Sequence, residues 1–168
     1  LYVIALTLVE NLGPIRCRRL IDYYGSAKEI FNQGNIDYEN VGIKGRRIDI
    51  SRIKYEVLKK AEEEISYINA NNIIALKYDD SEYPYRLKEC VDAPIVIYCM
   101  GNTDLNSDRQ IAVVGTRNPS IEGKEATRMI IEDLAINKVL VISGLAYGID
   151  TEAHKSALNN NLLTVAVV

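Results

Sequence analysis

Two short stretches of this sequence hold residue types suited to gripping a phosphate. The first is Ile111-Ala112-Val113-Val114-Gly115-Thr116-Arg117. An apolar run of strand length enters a loop whose first residue is glycine and whose third is arginine. Gly115 permits close backbone approach. Thr116 offers a hydroxyl and an amide, and Arg117 offers a planar fork matched to phosphate oxygens. The second is Val141-Ile142-Ser143-Gly144-Leu145-Ala146-Tyr147-Gly148-Ile149-Asp150, which repeats the logic on the next strand. Ser143 and Gly144 fall at that strand's end, beside Gly115, and Gly148 lies at the far end of the loop. Neighbouring glycine-rich strand ends form a nest of backbone donors, and ligands of open α/β sheets sit outside the carboxyl ends of strands. Tyr147 is placed to stack a base or to pack beneath the loop. Asp150 is expected to cap the following helix. Its charge disfavours an anion there, so the phosphate is expected nearer Ser143, Gly144 and Arg117. Asp150 can instead orient a basic side chain. The plain alternative is a pair of connecting loops with an exposed arginine.

Other chemistries fail on spacing. A dinucleotide G-x-G-x-x-G fingerprint needs glycine where Arg117 stands, and no G-K-[ST] triplet provides a Walker A loop. Ser143, Asp150 and His154 lack the G-x-S-x-G elbow of a hydrolase. Asp150 and His154, four apart, suit a cap, packing or a local hydrogen bond fixing the loop. His154 is the sole histidine, which excludes a multi-histidine metal site, and no cofactor motif is present. Cys17, Cys90 and Cys99 form no C-x-x-C pair, which argues for a reducing cytoplasm.

The elements that position these loops follow from periodicity. Residues 111–114, 139–142 and 163–168 read as buried strands, alternating with helices over 122–136 and 151–158. This β–α–β–α–β order predicts a parallel sheet covered on both faces. Shorter strands are expected over 73–76 and 95–98, with a polar loop over 79–85. The first seventy residues read as helical. Residues 1–8 are dense in apolar residues, and Pro14 fits the first turn of a helix ending at Gly25. Ser26 can cap a short third helix. Ile50, Ile53, Val57, Leu58, Ala61, Ile65 and Ile68 make one apolar helical stripe, capped by Asp49 or Ser51. Asn69-Ala70-Asn71-Asn72 ends it and marks the expected boundary between domains 1–70 and 71–168.

The 168 residues suffice for one ordinary domain or two small ones, and a charged fraction of 26% beside an apolar fraction of 48% argues for a folded chain. No apolar run reaches the length of a membrane span. The net charge of −3 conceals a split: residues 1–60 carry +4 and residues 61–168 carry −7. Two surfaces of opposite sign suggest two domains, and an anion site in the acidic part must arise from local geometry. Leu12-Gly13-Pro14 and Val41-Gly42-Ile43-Lys44-Gly45-Arg46-Arg47 look like hairpins between short helices, able to offer amides to nucleic-acid phosphate. The alternative is a packing module whose Arg16, Arg18 and Arg19 form a solvated face. The absent initiator Met and the halt within the β–α pattern are read as marks of a fragment.

Together these segments resemble the DprA/Smf family of DNA-processing proteins. Leu12-Gly13-Pro14 with Tyr24-Gly25-Ser26 resembles its N-terminal module. Tyr83-Pro84, Leu87, Asp92-Ala93-Pro94 and the stretch from Tyr98 to Gly101 resemble its next segment. Val113-Val114-Gly115-Thr116-Arg117 and Ser143-Gly144-Leu145-Ala146-Tyr147-Gly148-Ile149-Asp150, with His154 and Leu158, match its two central signatures. The resemblance implies an α/β fold: a small all-helical SAM/helix-hairpin-helix-like domain, then a truncated Rossmann-like parallel-sheet domain. It implies a cytoplasmic protein without catalytic turnover that binds single-stranded DNA, protects incoming DNA and loads the RecA recombinase in natural transformation. The implied DNA-binding set here is Gly115, Thr116, Arg117, Ser143, Gly144, Tyr147 and Gly148, with no catalytic or metal residue. The full-length protein is implied to be a homodimer. The family's later S-E-x-P and R-N-R-I-I-x-G-L-S segments lie outside this sequence, so the fragment is expected to be monomeric and to bind DNA poorly. The competing expectation is a Rossmann-like enzyme related to the nucleoside-monophosphate phosphoribohydrolases, whose G-G-x-G-T-x-x-E motif is not found here. A third is a helical adaptor fused to a Rossmann shell that holds no anion.

Overall fold

The computed structural model describes residues 1–33, 36–43 and 47–168. It comprises two compact units, Leu1–Gly101 and Asn102–Val168. The turn expected at Gly34-Asn35 and the Lys44-Gly45-Arg46 part of the second hairpin lie outside the described residues.

The first unit begins with α1 (Tyr2–Thr7), α2 (Pro14–Tyr24) and α3 (Ala27–Asn32). Pro14 starts α2, where its missing N–H costs nothing, and Gly25 ends it in the left-handed region at φ 83°. The Ser26 hydroxyl accepts from the Glu29 amide at 3.2 Å and caps α3. The long α4 (Ile50–Ala70) is capped by Asp49, which accepts from the Ser51 amide at 3.1 Å. Its buried stripe of Ile50, Val57, Ala61 and Ile68 packs into one core with Leu6, Cys17, Leu20, Ile30 and Phe31. Burial pushes the Cys17 thiol up to about 12, because the thiolate would lose its hydration there.

β1 (Ile74–Lys77), α5 (Tyr85–Lys88) and β2 (Val96–Cys99) complete this unit. β1 and β2 pair antiparallel, Ile74 opposite Cys99 and Lys77 opposite Val96. Ile73, Ala75 and Ile95 join the helical core. The change of period at Asn69–Asn72 therefore separates helices from strands within one compact body, and the division between units falls after Gly101. The one-turn α5 begins at Tyr85, the last residue of the stretch expected to be loop.

The second unit contains β3 (Gln110–Ala112), α6 (Ile121–Ala135), β4 (Leu140–Gly144), α7 (Ile149–Asn159) and β5 (Thr164–Val167). The strands form a parallel sheet in the order β3-β4-β5. This is the mixed α/β fold with a parallel sheet that the sequence predicts. The expectation of cover on both faces is corrected. Strands laid down in sequential order, with right-handed crossovers, put both connecting helices on one face. α6 and α7 pack side by side, and Ile131, Ala153 and Ala157 close over Val141. Val114 and Val167 remain 85% and 63% exposed.

Candidate functional site

The loops after β3 and β4 meet at the carboxyl edge of the sheet, and two glycines account for their closeness. A Cβ on Gly115 would fall 2.6 Å from Cγ1 of Ile149, so the first turn of α7 reaches the β3 loop only because that position is bare. Gly148 has φ 92°, a region costly for other residues, and a Cβ there would come within 2.7 Å of the Arg117 Cα. The Ile149 amide donates to the Thr116 carbonyl at 3.2 Å, and the Thr151 hydroxyl donates to the Ala146 carbonyl at 2.8 Å.

The other predicted residues take different positions. Ser143 is buried, and its hydroxyl donates to the Val113 carbonyl at 2.6 Å. That hydroxyl binds strand to strand instead of facing the edge. The Thr116 hydroxyl accepts from the Asn118 amide at 3.1 Å and shapes the β3 loop. Arg117 is exposed, with no hydrogen bond or ion pair among the described residues. Tyr147 is 85% exposed, which removes the reading in which it packs beneath the loop.

Asp150 departs from its expected role. Gly148 is the N-cap of α7, no side chain caps this helix, and Asp150 is its second residue. Its Oδ2 lies 2.6 Å from where a Cβ on Gly144 would stand. The carboxylate therefore occupies the ground over Gly144 where a phosphate was expected, and leaves the Arg117 side for an anion. His154 does not bond Asp150. Its Nε2 lies 2.7 Å from the Gly144 carbonyl and its Nδ1 2.7 Å from the Thr164 hydroxyl. A carbonyl only accepts, so Nε2 carries a proton and donates. His154 thus clamps the end of β4 to α7 and β5, and no Ser-His-Asp triad forms.

The loop amides matter most. The N–H groups of Gly115, Thr116 and Arg117, and of Leu145, Ala146, Tyr147 and Gly148, donate to no other group among the described residues. Gly115, Thr116, Arg117, Leu145 and Tyr147 are exposed, so these donors face solvent and are open to an acceptor. With the exposed Arg117 on the first of these loops they form a rim rich in donors. Arg128 of α6 bridges Glu152 of α7 at 2.6 Å and Glu125 of α6 at 3.0 Å. Sequence reasoning missed Ile149 and Thr151, whose roles depend on how tightly α7 docks.

In the first unit the described arginines take other roles. Arg16, Arg18 and Arg19, expected as a solvated face, hold the carbonyls of Asn11, Ala93 and Gly42 at 2.9, 3.1 and 2.9 Å. Arg18 also donates to the Val91 carbonyl and lies 5.1 Å from the Tyr78 ring centroid. Tyr83 is fully buried and donates to the Pro94 carbonyl at 2.8 Å, while Lys88 faces the rings of Tyr78 and Tyr83 at 5.6 and 5.8 Å. The Tyr83-Pro84 and Asp92-Ala93-Pro94 motifs are thereby bound to α2. A cleft of about 590 Å³ beside them is lined by both signs, Arg18, Arg19, Lys77 and Lys88 against Asp22, Asp79 and Glu89. Among the described residues no three His, Cys, Asp or Glu gather to hold a metal. No described helix is long and apolar enough to cross a membrane.

Residues 74–168 match the family described as DNA recombination-mediator protein A. DNA processing protein DprA of Streptococcus pneumoniae is 43% identical over 89 residues, 53% of this chain and 31% of that protein. Protein Smf of Synechocystis is 29% identical over 180 residues, 99% of this chain and 43% of that protein. The chain spans less than half the length of either relative. The X-ray structure of DNA processing protein A from Streptococcus pneumoniae superposes with a TM-score of 0.67 at 27% identity, covering 99% of this chain and 55% of that one.

Proposed function

This chain belongs to the DNA recombination-mediator protein A family, and we propose that it is the part of a single-stranded DNA-binding recombination mediator that grips the strand's backbone. The observation that carries the reading is the run of amides from Gly115 to Arg117 and from Leu145 to Gly148 that donate to no group among the described residues, with Arg117 exposed and unpaired among them. Phosphate oxygens satisfy such donors, and Arg117 adds a charge-assisted fork. The seat is on the Gly115-Thr116-Arg117 side, since Asp150 lies against Gly144. Ser143 and Gly144 act by holding the edge together, and Tyr147 offers a face for a base.

In this reading the protein protects incoming single strands and delivers them to RecA during natural transformation, as a homodimer and without turnover. Backbone contacts give affinity that is independent of sequence and dependent on salt, which suits a mediator that must accept any incoming strand. The test is polynucleotide binding by the full-length protein across salt. Single strands are expected to bind more tightly than duplexes of the same length, and RecA assembly on single strands is expected to accelerate. Equal affinity for duplex and single strand, or turnover of a nucleotide, would contradict the reading.

A further inference from the structure

The loops after β3 and β4 are tied to α7 by hydrogen bonds that end on their carbonyls. The Ile149 amide donates to the Thr116 carbonyl at 3.2 Å. The Thr151 hydroxyl donates to the Ala146 carbonyl at 2.8 Å. His154 Nε2 donates to the Gly144 carbonyl at 2.7 Å. A trans peptide is planar, so its N–H points opposite to its C=O, and the described chain has no cis peptide bond. A carbonyl drawn towards α7 therefore turns the amide of the next residue away from α7. The amides so turned are those of Arg117, Tyr147 and Leu145, three of the donors that bond to no other group among the described residues.

Two of these peptides are neighbours. Gly148 follows Tyr147 directly, and a Cβ on it would fall 2.7 Å from both the carbonyl carbon and the Cα of Arg117. The Arg117 and Tyr147 amides thus start from one packed junction and are both directed away from the same helix. They are fixed in different ways. The Thr116–Arg117 peptide is anchored by a backbone amide, which is present whatever side chain stands at 149, proline excepted. The Ala146–Tyr147 peptide is anchored by a side-chain hydroxyl. The Tyr147 side chain is 85% exposed and supplies little packing to hold that peptide in place.

We propose that Thr151 is a positioning residue for the bound strand: its hydroxyl sets the Ala146–Tyr147 peptide so that the Tyr147 amide joins the Arg117 amide on one backbone phosphate. The proposal rests on the reading that this edge binds single-stranded DNA, and it assigns the aim of one donor to a residue that touches no DNA itself. Two adjacent amides aimed the same way suit the oxygens of a single phosphate. Without the Thr151 bond the peptide is free to rotate in its exposed loop, and its donor leaves the phosphate. The Arg117 amide keeps its aim, because the Ile149 amide still holds the Thr116 carbonyl. No base is selected by this arrangement, since phosphate contacts carry no sequence information.

The experiment uses the full-length protein, isotope-labelled so that backbone amides are followed by NMR, with single-stranded oligothymidylate as the probe. Thr151→Val keeps the branched shape and removes the hydroxyl, and Thr151→Ser keeps the hydroxyl. In wild type the Arg117 and Tyr147 amide resonances are both expected to move on addition of the oligonucleotide. In folded Thr151→Val the Tyr147 response is expected to vanish and the Arg117 response to remain, with affinity about fivefold weaker for one lost hydrogen bond. Thr151→Ser is expected to restore the Tyr147 response and to bring affinity within about twofold of wild type. Loss of both responses together in Thr151→Val marks a general loosening of the edge and overturns the proposal. Wild-type affinity with an unchanged Tyr147 response in that variant also overturns it. Should Thr151→Val fold poorly, wild type decides alone: an Arg117 amide that responds beside a Tyr147 amide that does not overturns this proposal and leaves the backbone-binding reading intact. Wild-type protein that binds no oligothymidylate overturns the underlying reading and this proposal with it.

Discussion

The Cα of Gly148 lies against the backbone of Arg117, so that a single added methyl would fall within 2.7 Å of the Arg117 Cα. The residue that starts α7 and the residue offered to phosphate are thus one packed unit. Gly148→Ala adds both this collision and the cost of φ 92° for an alanine. The expected destabilisation is roughly 1–3 kcal/mol, read by thermal or urea unfolding. A larger loss of single-strand affinity than of stability is expected in the full-length protein, because the Arg117 loop must move.

Ser143 holds the two loops from beneath. Ser143→Ala removes the 2.6 Å bond to the Val113 carbonyl at a partly buried position. A loss of about 1–2 kcal/mol is expected, while the salt dependence of DNA binding keeps its slope, since the hydroxyl does not face the edge. A reduced slope in a stable Ser143→Ala protein would show that it contacts phosphate after all.

Arg18 is assigned to architecture. Arg18→Met keeps the aliphatic stem and removes the bonds to Ala93 and Val91 and the charge over Tyr78. About 2 kcal/mol of stability should disappear, measured by denaturant unfolding. Single-strand affinity of the folded full-length variant should be unchanged.

The Cys17 thiol keeps its proton in the folded chain up to about pH 12. The unfolded chain releases that proton near the ordinary thiol value of about 8.5. Between those limits the unfolded state binds fewer protons, so stability falls as pH rises, by at most ~1.4 kcal/mol per pH unit from this group. The matching chemical expectation is that exposed Cys90 alkylates quickly in native protein at pH 8 and Cys17 does not, until denaturant is added. Cys17→Ser should flatten the alkaline decline.

The sequence predicts this architecture well where a residue's role is local. Ser26 and Asp49 cap the helices they precede, Gly25 ends α2, and the apolar stripe from Ile50 to Ile68 is the buried side of α4. The adjoining loops at Gly115 and Ser143-Gly144 follow from strand order alone. What the sequence could not reveal depends on docking. Nothing in Ile149 marks it as the neighbour that forbids a side chain at Gly115. Asp150 reads as a cap because carboxylates usually cap, but α7 starts after Gly148, and Asp150 in its first turn lies over Gly144. Ser143 reads as a ligand because hydroxyls beside glycines often bind, but strand pleating turns it to Val113. The arginines of α2 read as solvated because the partners of Arg18, Val91 and Ala93, lie over seventy positions away.

The account stands most directly on Arg117. The decisive measurement is single-strand binding by full-length Arg117→Ala against wild type, over a series of salt concentrations and several base compositions, with folding checked by thermal melting. Affinity is expected to fall by roughly tenfold for a lost charge-assisted bond, alike for all base compositions. The slope of log affinity against log salt is expected to become shallower by about 0.7, the value for one single-strand phosphate contact. A folded Arg117→Ala protein with wild-type affinity and wild-type slope would contradict the placement of the strand at this edge.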